Sequence, residues 1–237
     1  MKIAIVYNHK DLISKEAKKL GFKIVKKNPQ IVIAFGGEGT FLKSEEIFPN
    51  IPKLFLRHHP DCKICQKKEK HKMEKILSLL KKKKYKIIKK VKLQAKIRNK
   101  KIIVMNDVNI HYKLPCAIGL ELKINGKSQG NALGDGLLIS TPYGSTGYWK
   151  SITHKSFKKG IGIAFILPTI RQKKYILNEN SKIKVLINKH KGVMTGDSIK
   201  KLIPFKNGDK IFIKKYGYTK LISINNKEKI HIGGRKN

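Results

Sequence analysis

The sequence predicts a two-part fold, an α/β N-terminal layer followed by a β-rich second domain. Three observations predict it. Up to about residue 80, short apolar runs alternate with segments of helical spacing. From Tyr85 onward the hydrophobic period shifts towards the alternation of strands. Hairpin-type turn signals then recur, at Asn125-Gly126 and Asn207-Gly208-Asp209.

The elements follow in order. Lys2–Tyr7 is the apolar run of a buried parallel strand. Asp11–Leu20 has helical spacing at Leu12, Ala17 and Leu20, with Gly21 as a stop. Phe22–Lys26 reads as a short strand, and Gln30–Phe35 as a buried one running straight into Gly36-Gly37. Thr40–Phe48 reads as a helix and Lys53–Arg57 as a further strand, which completes a β-α-β-β-α-β order. Met73–Lys83 is helical, with Met73, Ile76, Leu77 and Leu80 on one face. Strand-like stretches follow at Tyr85–Arg98, Lys101–Tyr112, Ala117–Asn125, Lys182–Asn188 and Lys210–Lys215. The expected domains are therefore 1–84 (α/β) and 85–222 (β-rich), with a tail, 223–237, returning to the first.

Composition narrows the function classes. With 237 residues, 40% of them hydrophobic, the chain is long enough to bury a core. No apolar run approaches the roughly 18–20 residues needed to span a bilayer. The opening Met1–Asn8 is too soon interrupted for a signal peptide. Cys62, Cys65 and Cys116 do not make an even disulfide framework, so a reducing cytoplasm is the expected compartment. The net charge of +39 raises nucleic acid as a partner. Against it, the basic residues are nearly all lysine, spread along the chain; Arg57, Arg98, Arg171 and Arg235 are the arginines. Specific phosphate and base readout leans on the arginine fork. Codon bias with a solvated surface is the favoured reading, and in either case the field attracts polyanions such as nucleotides.

The chemistry centres on Gly36-Gly37-Glu38-Gly39-Thr40, where a strand ends and a helix opens. Glycines let a backbone approach phosphate closely, and a helix N-terminus offers N–H groups and a positive dipole end. A carboxylate inside such a turn repels phosphate, so it makes sense where it orients a hydroxyl or holds Mg²⁺. The alternative is a tight glycine turn with Glu38 serving the helix dipole. A second segment, Asp135–Tyr148, is a strand followed by a turn rich in Gly, Ser and Thr. It offers hydroxyls, N–H groups and the Tyr148 ring to a polar ligand, and taken alone it is also compatible with an ordinary strand and loop.

Together these segments resemble the NAD kinase family, whose motifs are Gly-Gly-Asp-Gly-Thr, Asn-Glu and Asp-Gly-Leu-x-x-Ser-Thr-Pro-Thr-Gly-Ser-Thr-Ala-Tyr. Gly36–Thr40 matches the first with Glu38 in place of Asp, and Asn106-Asp107 the second with Asp for Glu. Asp135–Tyr148 matches the third, departing at Tyr143 and Gly147. Ile163–Ile170 is similar to a later family strand, and Thr195-Gly196-Asp197 sits where the family has a near-terminal aspartate. The resemblance implies phosphoryl transfer from ATP or polyphosphate, with Mg²⁺, to the 2′-hydroxyl of the adenosine ribose of NAD.

Residue by residue, it implies that Glu38 accepts or positions the 2′-hydroxyl proton. Gly36, Gly37, Gly39 and Thr40 would meet phosphate. Asn106 and Asp107 would bind ribose hydroxyls, and paired acceptors suit a cis-diol. Asp135 would meet the nicotinamide end. Thr146, Gly147, Tyr148 and Ser151 would line the adenine and ribose site. A homo-oligomer is implied as well. The chain departs from the family in two places. Glu38 reaches roughly 1.5 Å further than Asp, a scale of displacement that matters to rate. The family's second glycine-rich loop is replaced by His58–Cys65, which contains no glycine.

His58 and His59 precede Cys62 and Cys65 at a spacing that can bind zinc; the default reading is a lysine-flanked loop with incidental Cys and His. Two other functions compete. Gly-Gly-Asp-Gly-Thr turns also occur in lipid kinases and phosphofructokinases, which Asp135–Tyr148 argues against. A non-catalytic relative that binds dinucleotides or nucleic acid is the other.

Overall fold

The computed structural model describes residues 1–7, 13–57, 73–113, 116–197 and 202–224. The chain divides into two compact units, Met1–Lys89 with Thr219–Asn237, and Lys90–Tyr218. The first is the α/β layer and the second is rich in antiparallel strands, so the fold class is the one the sequence predicts.

In the first unit the expected strands and helices form as β1 (Lys2–Tyr7), α1 (Ile13–Lys19), β2 (Lys23–Ile24), β3 (Ile31–Gly36), α2 (Glu38–Ile47) and β4 (Lys53–Arg57). A further helix, α3, covers residues 73–81. The strands pair in parallel: β1 lies between β2 and β3, and β3 between β1 and β4. Every residue of β3 is buried, as expected of a parallel strand covered on both faces. Its odd positions Ile31, Ile33 and Phe35 join Ile3, Ile13, Leu54, Leu77 and Leu80 in one core. Val32 packs on the other face with Ala4 and Val6. Two expected elements are shorter or shifted. The strand expected over Phe22–Lys26 pairs only at Lys23 and Ile24. The helix expected from Thr40 begins at Glu38, because extended Gly37 caps it and its carbonyl accepts the N–H groups of Thr40 and Phe41.

The second unit contains β6 (Lys100–Val104), β7 (Asp107–Tyr112), β8 (Ile118–Ile124), β9 (Lys127–Ser140), β10 (Ile161–Pro168), β11 (Tyr175–Leu177), β12 (Ile183–Lys189), β13 (Gly192–Thr195) and β14 (Ile203–Phe205). A 3₁₀ turn (Gly144–Thr146) and α4 (Tyr148–Thr153) lie between β9 and β10. Two strands have residues in each unit: β5 (Lys86–Ile97) and β15 (Lys210–Ser223). The β8–β9 hairpin turns at Asn125-Gly126, both with positive φ (49° and 86°), the geometry that Asn-Gly favours. The C-terminal half of β9 is central, paired with β7 on one side and β10 on the other. Its Leu137 and Ile139 meet Val108, Ile110, Ile161 and Ile163 in the larger core. On the opposite face Leu138 packs with Trp149, Phe157 and Ala164. Among the described residues no helix is long and apolar enough to cross a membrane.

Candidate active site

The sequence-predicted residues fall into two groups, one in each unit. In the first unit, β3 delivers Gly36 to the mouth of α2. Gly36 has φ 146°, and a Cβ on it would stand 2.6 Å from Thr40 Oγ1, so only glycine fits above the buried threonine. Gly37, Glu38 and Gly39 are exposed, and nothing lies within 4 Å of where a Cβ on Gly37 or Gly39 would be. The backbone here is open to close approach by a ligand. Glu38 occupies the first turn of α2, where a carboxylate also complements the helix dipole. The buried face of α2 anchors the turn: Phe41 stacks on Phe55 with ring centroids 5.0 Å apart, and Ser44 Oγ donates to the Phe41 carbonyl at 2.6 Å.

In the second unit the chain breaks between β6 and β7 at Met105-Asn106, inside the stretch that sequence alternation reads as continuous. Four hydrogen bonds fix this break. The Met105 and Asn106 N–H groups donate to Asp197 Oδ2 and Oδ1 at 2.5 and 2.7 Å. The Met105 carbonyl accepts from Thr141 Oγ1 at 2.5 Å, and the Asn106 carbonyl from Thr141 N at 2.8 Å. Gly144 rests on the same backbone, where a Cβ would come within 2.3 Å of the Asn106 carbonyl oxygen. Asn106 and Asp107 are thereby tied to the segment that follows β9.

The hydroxyls of that segment divide by direction. Ser140, Thr141 and Ser145 are buried and satisfied within the fold. Ser145 Oγ in particular spans Pro142 O and Phe157 O, at 2.9 and 3.0 Å. Thr146, Gly147, Tyr148 and Ser151 are exposed. The carrier of the outward group is Trp149. It packs edge-on to Phe157 at 5.0 Å and sits over Gly162, where a Cβ would be 2.6 Å from the indole. Gly136, after Asp135, has no room for a side chain, since a Cβ would lie 2.1 Å from Ile110 O on β7. Partial desolvation raises the pKa of the Tyr148 phenol above its ordinary value although the side chain as a whole is exposed, and the nearby charges of Asp107 and Asp135 add to the effect. Asp107 and Asp135 thus lie near enough to Tyr148 to act on its phenol, and Asn106 precedes Asp107 in the chain. Asp197 and Thr141 are the residues that motif reading left off the site: Asp197 was visible only as a family match, and Thr141 only as one hydroxyl among several.

His58, His59, Cys62 and Cys65 lie outside the described residues. The described residues contain no group of three or more His, Cys, Asp or Glu side chains that could hold a metal ion. Cys116 is free and half-buried.

The model of the ATP-NAD kinase C-terminal domain matches residues 105–225, just over half of the chain. The chain belongs to the ATP-NAD kinase family. It is 33% identical over 158 residues to an NAD kinase of Sulfurisphaera tokodaii, 65% of this chain and 62% of that one. The match thus spans about three fifths of that relative's length. An NAD kinase of Flavobacterium psychrophilum is 26% identical over 225 residues, covering 90% of this chain and 76% of its own. Among solved structures, an NAD kinase from Archaeoglobus fulgidus in complex with ATP superposes with a TM-score of 0.77 at 17% identity, covering 95% of this chain and 94% of that one. Yeast NADH kinase complexed with NADH gives 0.74 at 16% identity, with 95% and 84% coverage. At these identities the two structures speak for the fold.

Proposed function

We propose that the chain is an NAD kinase. It transfers a phosphoryl group from ATP, or from polyphosphate, to the 2′-hydroxyl of the adenosine ribose of NAD, and the product is NADP. The observation that carries this reading is the Asn106-Asp107 turn, hydrogen-bonded through Thr141 to the Asp135–Tyr148 segment. Two family motifs far apart in sequence are thereby tied together, with Asn106, Asp107 and Asp135 half-buried and Thr146, Gly147, Tyr148 and Ser151 exposed. Relatives named NAD kinase support the same activity.

In this reading Glu38 accepts the proton of the attacking hydroxyl or orients it, a role that needs a carboxylate within hydrogen-bond reach of that hydroxyl, and Glu38 is exposed. The open backbone of Gly37 and Gly39, with Gly36 and Thr40 shaping the turn, meets phosphate at the helix N-terminus. Asn106 and Asp107 hold ribose hydroxyls. Asp135 faces the nicotinamide end, and Thr146, Gly147, Tyr148 and Ser151 line the adenine and ribose. The divalent cation, Mg²⁺, arrives with the donor's phosphates, since Mg²⁺ keeps mostly water and phosphate oxygens as ligands. A cytoplasmic setting and a homo-oligomeric assembly belong to the same proposal.

The test is NADP formation by the purified chain with NAD, Mg²⁺ and either ATP or polyphosphate. NADP with one donor or both is expected. NAD binding without turnover would make the chain a non-catalytic relative, and no binding would overturn the reading.

A further inference from the structure

The break at Met105-Asn106 exposes four backbone polar groups, and all four are satisfied by two residues. Thr141 holds the two carbonyls, and Asp197 alone holds the two N–H groups, at 2.5 and 2.7 Å. Backbone groups at a bend between strands are commonly left to water. Here a carboxylate more than ninety residues away takes both, in charge-assisted bonds that are roughly twice as strong as neutral ones. The segment bearing Asp197 is itself held down. β13 pairs with β7 at Thr195↔Asn109. A Cβ on Gly196 would come within 2.2 Å of Val104 Cγ1, so residues 195–197 lie flat on the strand ends they grip.

We propose that Asp197 is a positioning residue for substrate binding. By gripping the Met105 and Asn106 N–H groups it fixes the backbone from which the Asn106 and Asp107 side chains project, and so sets their aim at the ligand's hydroxyls. This rests on the functional reading above for the identity of the ligand. The geometry of the grip does not depend on it. The same groups acting in ground state and transition state alike predict an effect on KM more than on kcat.

The experiment uses the full chain with Asp197→Ala and Asp197→Asn. NAD affinity is measured by titration, KM and kcat by NADP formation, and the exchange of the Met105 and Asn106 amide protons by NMR or mass spectrometry. In Asp197→Ala both amides are expected to lose protection. The Kd and KM for NAD are expected to rise about tenfold or more, the scale of one or two lost hydrogen bonds, while kcat stays within about threefold. Asp197→Asn keeps one acceptor oxygen and is expected to fall between, and it serves as the readout if the alanine variant does not fold. A purely structural role would lower Tm and leave KM unmoved, which overturns the proposal. Unchanged amide protection overturns it too. Failure of the wild type to bind NAD overturns the functional reading together with this one, whereas wild-type binding with an indifferent Asp197→Ala and Asp197→Asn overturns the positioning alone.

Discussion

The ammonium nitrogen of Lys53 lies 2.6 Å from Glu45 Oε2, with the lysine side chain wholly buried and the carboxylate nearly so. The same carboxylate oxygen accepts the Thr219 hydroxyl at 2.6 Å. Lys53 also donates to the Phe48 and Ile51 carbonyls, at 2.7 and 2.8 Å, just past the end of α2. One cation thus closes the C-terminal end of the helix whose N-terminus carries Glu38, and it sits on β4 opposite Leu221. Leaving one charge of a buried pair uncompensated is costly, although the intact pair adds little net stability. Lys53→Met is expected to destabilise the chain by about 3–5 kcal/mol. Adding Glu45→Gln should recover part of that loss. Urea unfolding of the two single variants and the double checks this, and a Lys53→Met cost below about 1 kcal/mol would contradict it.

Glu38 is exposed in the first turn of α2, so its removal tests chemistry with little disturbance of the fold. Glu38→Gln is expected to reduce NADP formation by about 10²–10⁴-fold, the range for loss of a positioned acid–base group. Glu38→Asp, which restores the family's residue, should retain activity. Thermal melting should change little in either variant. Full turnover by Glu38→Gln would remove Glu38 from the proton-transfer role.

Much of the first unit was legible because its signals are local. β1 and β4 run between the residues their apolar runs mark, Lys2–Tyr7 and Lys53–Arg57, and Gly36-Gly37 announces the end of β3. The second unit was less legible for physical reasons. β9 extends back to Lys127, through a polar stretch, Lys127–Asn131, that is exposed and therefore shows no inward alternation. β15 runs on to Ser223, past Lys215, where Gly217 at φ 147° interrupts the pattern that would have revealed it. At the site, the motif residues were readable, but their division into outward and inward groups was not. Ser140, Thr141 and Ser145 look like ligand groups in sequence, yet they satisfy backbone carbonyls. The bonds from Asp197 join residues too distant in sequence for any local rule to pair.

The glycines separate into those the fold requires and those it does not. Gly136→Ala would force a methyl to within 2.1 Å of Ile110 O in the middle of a sheet. Overpacking against fixed backbone is expected to cost at least about 1–3 kcal/mol. Gly39→Ala meets nothing within 4 Å and lies inside α2, where alanine is the better helix former. It is expected to gain up to about 1 kcal/mol of stability. If the open backbone there is used to approach the donor's phosphates, the same variant should weaken donor binding. Denaturant midpoints together with KM for ATP check both halves. A Gly39→Ala variant with unchanged KM would leave that glycine without a role in binding.

The Tyr148 hydroxyl provides a probe of the acidic group beside it. Burial is the first cause of its raised pKa, and the charges of Asp107 and then Asp135 follow. A pKa raised in the folded state means that the folded chain holds the phenol proton more tightly than the unfolded chain does. The resulting stability is fully present below the ordinary tyrosine value near 10 and is lost as pH rises through the folded value. Ultraviolet titration of the phenolate band, with Tyr148→Phe as the reference, is expected to show one tyrosine ionising late. Asp107→Asn removes the largest of the charge contributions and should bring that transition to lower pH, with burial still holding it above the ordinary value. Asp135→Asn should act in the same direction with smaller effect. An unmoved transition in Asp107→Asn would mean that this carboxylate does not face the ring, and the grouping of Asp107 with Tyr148 in one ligand-binding surface would fall with it.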